Sequence, residues 1–176
     1  MAQLGQSKGD HLELVRNLTP EEIQGKWPQL KPANHKVTSR ATRRYNCIAF
    51  ALGDERTWWE ADEGFGGGIH WPEGVPDTLD GWLQIFTREK FEPTADRNVE
   101  AGVEKIAIYV SLRDMSPEHV AVSDGRSWKS KLGRYQDIEH RSLDLLEGEN
   151  ACEYGIVAKI LRRPARSRIR RRGKAQ

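Results

Sequence analysis

Residues 45–54 read YNCIAFALGD. Asn46 is a residue type that caps helices, residues 47–52 are apolar or helix-tolerant, and Gly53 suits a helix stop. The segment therefore predicts a short helix with Cys47 in its first turn. Upstream, Thr19-Pro20-Glu21-Glu22 predicts another helix start. Thr19 caps, Pro20 fits the first helical position, and Glu22 completes a capping box. Gly25 and Pro28 keep that helix short. Residues 30–44 are basic and without period, and predict a loop.

Downstream, residues 54–76 hold Trp58, Trp59, Trp71, Pro72, Pro76 and the run GFGGG at 64–68. A long irregular segment inside a compact domain is more often functional than accidental. The glycines predict a flap or tight turn over a cleft, since no Lys-Ser/Thr follows to make a phosphate loop. The tryptophans predict either the walls of a substrate groove or the cover of a small core. Asp77 or Thr78 then caps a second clear helix, in which Leu79, Trp82, Leu83, Phe86 and Lys90 fall at helical spacing. Beyond it the pattern turns to strands, at residues 105–111, 119–123, 126–130 and 154–162. Helices first and strands after predict an α+β fold rather than a βαβ repeat. Asp124-Gly125 predicts a two-residue hairpin turn. In that register residue 123 pairs with 126, and His119 with Ser130.

A chain of 176 residues predicts one domain. Its expected parts are a loose N-terminus (1–18), a folded body (19–162) and a basic disordered tail (163–176). No apolar run reaches the roughly 20 residues of a membrane helix. The first residues carry no secretory signal, so a cytoplasmic protein is expected, with export by another route left open. The net charge of +2 hides an asymmetry. Residues 162–176 carry eight basic side chains and no acid, so residues 1–161 carry −6. The tail is either a solvated terminus or a weak contact for nucleic acid or an anionic surface through residues 162–174.

Cys47 also carries candidate chemistry. A cysteine attacks as its thiolate, which a helix N-terminus or a nearby imidazole favours. His119, at the entrance of a strand, is the candidate base. The expected hairpin register offers Ser130 to orient its ring and brings Trp128 beside it on the same face, as a shield from water. His140 is the alternative orienter and Asp137 a weaker one. Cys47, His70, His119, His140 and Cys152 show no close metal-ligand spacing, so neither metal nor cofactor is expected.

Four stretches carry a resemblance: YNCIAFALGDERTWW, HVAVSDGRSWKSKLG, IEH and YGIVAKILRR. They resemble an uncharacterised bacterial domain family with NCIA(F/W)ALG and HxA…GxWxSKLG blocks, across roughly residues 20–162. That family is similar to papain-like cysteine hydrolases of the NlpC type. The resemblance implies N-terminal helices packed on a C-terminal antiparallel sheet, with a Cys opening a helix and a His opening a later strand. Cys47 and His119 match those two positions. The third position, His, Asn or Gln in NlpC-type domains, falls near Ser130 here.

Two expectations follow. The first is a cysteine hydrolase or transferase of peptidase, amidase or deamidase type, with Cys47 as nucleophile, His119 as base, and Ser130 or His140 orienting it. Asn46, Trp58, Trp59, Trp71 and Trp128 would line its groove, and its partner would be an amide substrate. The second is a non-enzymatic binding module of the same fold, with a structural cysteine and a tail that binds nucleic acid or another acidic partner.

Overall fold

The structure, a computed structural model, describes residues 15–61 and 69–166. The fold is α+β. Helix α1 (Pro20–Lys26) begins with the expected capping box between Thr19 and Glu22. Strand β1 (His35–Val37) precedes helix α2 (Cys47–Ala51), and helix α3 (Leu79–Arg88) precedes strand β2 (Glu92–Thr94). Strands β3 (Val103–Val110), β4 (Pro117–Ser123), β5 (Trp128–Lys131) and β6 (Asp137–His140) follow, then a 3₁₀ turn (Leu143–Leu146) and strand β7 (Ile156–Pro164). The seven strands of the described residues form one antiparallel sheet in the order β1-β6-β5-β4-β3-β7-β2.

Side chains alternate across a strand, so each face collects its own core. On one face Ala107, Tyr109, Ala121, Trp128 and Ile138 pack with Ile23, Trp27 and Leu30 from the α1 region. On the other, Ile106, Ile108, Val120 and Leu161 pack with Ile48 and Ala51 of α2 and with Trp82 and Phe86 of α3. Helix α2 crosses β4 and β5. At five residues it is too short to stand alone, and packing holds it.

Five expectations are corrected. The sheet does not begin at residue 105, because β1 and β2 flank it. Strand β1 lies in the expected loop at 30–44, where Lys36 and Val37 pair with Glu139 and Ile138. Residues 15–18 join the body: Leu18 is buried, and Gln136 clamps it by taking its N–H (3.0 Å) and donating to its carbonyl (2.9 Å). The body also runs past residue 162. Arg163 pairs with Glu104 at 2.6 Å, and Arg166 with Glu89 at 2.5 Å. Finally, the β4–β5 turn is two residues longer than expected, since Ser123 pairs with Trp128. Residues 1–14, the GFGGG run at 64–68 and the tail from 167 lie outside the described residues.

Candidate active site

A cavity of about 240 Å³ opens beside the N-terminus of α2, at the start of β4. Cys47, His119 and Tyr154 contribute to its wall, together with Trp58, Trp59, Trp71 and Trp82. Asn46 holds one side together. Its carbonyl oxygen caps α2 through the Ala49 N–H (3.3 Å), and its amide nitrogen donates to the Trp59 carbonyl. The tryptophan-bearing loop is thereby tied to the helix that carries the thiol.

Cys47 retains some accessible surface, but protein atoms crowd its sulfur. Burial pushes the thiol up to about 11, although the backbone amides of Val120, Ile48 and Cys47 converge on the sulfur and favour the thiolate. Desolvation of an anion therefore outweighs the helix-terminus effect on which a lowered pKa would depend. At neutral pH this is a thiol, contrary to the thiolate tendency expected from its place in the helix.

His119 is 1% exposed and its Nε2 is enclosed without a hydrogen-bond partner. Burial, reinforced by the neighbouring His140, lowers its pKa to about 3, so the ring is neutral. Aromatic stacking holds it in place: Tyr154 lies at 4.1 Å and 11° from parallel, and Tyr109 at 5.5 Å. Register irregularities in β3 fall next to Tyr109, which pairs with His119. Such irregularities re-aim side chains beside functional sites. His119 belongs to the sheet face opposite α2, yet it reaches the same cavity as Cys47 at the strand's entrance.

Three sequence-based assignments change. Because Val122 pairs with Lys129 and Ser123 with Trp128, the same register carried onward sets Ser130 beside Ala121, not His119. Ser130 instead donates to His140 Nε2 (2.9 Å), while His140 Nδ1 donates to the Ser142 carbonyl (2.9 Å). Both ring nitrogens of His140 are thus occupied, and neither Ser130 nor His140 bonds to His119. Trp128 is fully buried, pairs across strands with Ser123 and His140, and donates to the Arg97 carbonyl (3.2 Å). It is not part of the cavity wall, whereas Asn46, Trp58, Trp59 and Trp71 are.

Sequence reasoning misses two wall residues and one buried neighbour. The pattern marks Tyr154 only as the start of a strand and Trp82 only as the apolar face of a helix. Lys131, outside the wall, belongs to the SKLG block, yet its side chain is fully buried. Its ammonium donates to the Tyr135 carbonyl, lies 3.8 Å from Asp137 Oδ1 and 5.1 Å over the Tyr45 ring. Burial lowers its pKa to about 8, and Asp137 and Cys47 oppose that shift. Asp137, weighed as an orienter, accepts from Tyr45 (2.6 Å) instead. No signal short of the fold marks a lysine for burial.

Among the described residues, no group of three or more His, Cys, Asp or Glu side chains could hold a metal ion. Among the described residues, no helix is long and apolar enough to cross a membrane.

Residues 36–162 match the family described as a domain of unknown function, DUF7689. The chain belongs to this family. The DUF7689 match runs from β1 to within β7 and contains Cys47, His119, Tyr154 and the whole cavity wall. No curated protein and no solved structure matches the chain.

Proposed function

We propose that this DUF7689 chain is a cysteine hydrolase or transferase of papain-like, NlpC-type architecture, acting on an amide. The observation that carries the reading is the enclosed, unpartnered Nε2 of His119 in the same cavity as the Cys47 thiol. A buried polar atom without a partner costs about 1–3 kcal/mol, and a proton-accepting role explains why it is kept.

Both groups are neutral at rest, so the proton moves during attack. Cys47 Sγ bonds to the amide carbon while its proton passes to His119. The carbonyl π pair goes to oxygen, and the Cys47 backbone N–H, which faces the sulfur at rest, would be released to donate to it once the sulfur is acylated. His119 then gives that proton to the departing amine as the C–N bond breaks, leaving a thioester. Water, or an acceptor amine in a transferase, attacks the thioester with His119 again taking the proton, and His119 returns it to Cys47 Sγ as the C–S bond breaks and the product leaves.

p-Nitrophenyl acetate tests this reading, with acetylated sites mapped by mass spectrometry. The expected result is acetylation at Cys47 well ahead of Cys152, a half-buried reference thiol. His119→Ala should slow it by 10²-fold or more. A Cys47 that acetylates no faster than Cys152 in the folded protein overturns the reading. That outcome would favour the binding module, for which the raised thiol pKa and the lack of a hydrogen-bonding orienter speak.

A further inference from the structure

We propose that the cavity beside Cys47 is a cation-accepting subsite, and that the substrate group it holds next to the scissile amide carries an ammonium or guanidinium. The word substrate rests on the reading above; the binding chemistry does not.

The walls are π surface. Trp58, Trp59, Trp71, Trp82 and Tyr154 line the cavity. Three of the four indole N–H groups are already spent on protein acceptors. Trp71 donates to the Val75 carbonyl (2.7 Å), Trp82 to Asp77 Oδ1 (2.7 Å), and Trp59 to Thr57 (3.2 Å) and Asp54 (3.3 Å). A ligand therefore meets ring faces and edges from these three, not donors. Aromatic faces attract cations, Trp most strongly, and more so when water is excluded.

Charge points the same way. Glu60, Asp77 and Glu118 line the cavity, and the described lining contains no Lys or Arg. Partial desolvation raises the pKa of Glu118, with Asp114 adding to the shift and Arg113 only opposing it. A bound cation would add to that opposing charge. His119 is neutral and does not repel it. Lys131, a buried cation whose charge is felt at Cys47, is held by the Tyr135 carbonyl and Asp137 and is not in the wall. At about 240 Å³ the space falls below the range of drug-sized ligand sites and suits one side chain or amino group. The unpartnered Nε2 of His119, nine-tenths buried and more, is a second and independent mark of a ligand site.

The test uses the full chain with Cys47→Ser, which prevents turnover, and follows tryptophan fluorescence and calorimetry. The probes are the Nα-acetyl amides of arginine, lysine, citrulline and norleucine. Citrulline keeps the shape of arginine without its charge. Arginine or lysine amide should bind at least tenfold more tightly than citrulline or norleucine amide. Glu60→Gln with Glu118→Gln should erase most of that preference; both residues are exposed, so folding is preserved. Equal or tighter binding of the neutral amides overturns the proposal, as does binding of none of the four. Acetylation of Cys47 with no cation preference would leave the hydrolase reading standing and remove this one. Cation binding with an inert Cys47 would do the reverse.

Discussion

The imidazole of His119 lies flat against the phenol ring of Tyr154, with centroids 4.1 Å apart and planes 11° from parallel. In a thiol triad a polar residue usually orients the base. Here Ser130 and His140 bond to each other, so under the proposed thiol chemistry it is stacking on Tyr154 that would orient the base. Removing the ring should therefore affect chemistry more than folding. Tyr154→Leu is expected to lower the Cys47 acetylation rate about tenfold, whereas Tyr154→Phe, which keeps the stack, should stay near wild type. Thermal melting of both variants, read beside the rates, separates a lost stack from a loosened core. Equal losses in the two variants would assign the effect to the hydroxyl and refute stacking as the orienting device.

Cys47 should show a steep pH dependence. Its thiol is pushed up to about 11 by burial, so the thiolate fraction rises tenfold per pH unit until that value is approached. Iodoacetamide alkylation of the folded protein, followed at Cys47 by mass spectrometry, is expected to climb from pH 7 to pH 10 without a plateau. A plateau below pH 8 would show a preformed thiolate and reverse the balance between burial and the three backbone amides.

Acid should destabilise the fold in two separable stages. Burial lowers His119 from 6.5 to about 3 and His140 from 6.5 to about 4. The unfolded chain binds these protons first, so stability is full above pH 6.5 and is lost as pH falls below it. Each histidine contributes about 2 kcal/mol of loss between pH 6.5 and 5. Glu22 and Asp96, held down to about 2 by Arg16 and Lys105, act in the same direction only below their unfolded values of 4.5 and 3.8. Urea unfolding at pH 7.5 and 5.0 should show the first stage, and His119→Phe should remove about half of it. An unchanged midpoint between these pH values would mean that the rings are not buried neutral.

Local signals located most of the elements but not the register that joins them. The Thr19, Asn46 and Thr78 caps each bond as their sequences suggest, because a cap is a contact within one turn. Asp124-Gly125 misled for a tertiary reason. Gly125 has φ +87° and presses on the 100–103 backbone, so close that a Cβ there would meet the Glu100 carbonyl at 2.6 Å. With that contact in place the turn spans residues 124–127, and the pairing lies two residues from the two-residue-turn register. The shift moves Ser130 away from His119 and carries Trp128 out of the cavity. Strands β1 and β2 were illegible because each is three residues long and takes its order from a partner, β6 or β7. Lys105 is fully buried for a similar reason, since Asp96 at 2.5 Å and the Asn98 carbonyl at 2.7 Å receive its ammonium from a loop of no periodicity.

Gly81 sets helix propensity against packing. It lies inside α3, where alanine in place of glycine ordinarily stabilises by about 1 kcal/mol. Yet a Cβ at this position would meet the Pro76 carbonyl oxygen at 1.8 Å and its carbon at 2.9 Å. Both atoms are backbone and cannot swing aside, so the segment through Val75 and Asp77 must move. That segment accepts the indole N–H groups of Trp71, at Val75, and of Trp82, at Asp77. Gly81→Ala is therefore expected to destabilise by about 1–3 kcal/mol, the usual cost of overpacking. Its tryptophan emission should also shift to the red as the cavity wall loosens. Differential scanning calorimetry with fluorescence decides the sign, and a raised melting temperature with unshifted emission would mean that the Pro76 segment yields freely and does not brace the cavity.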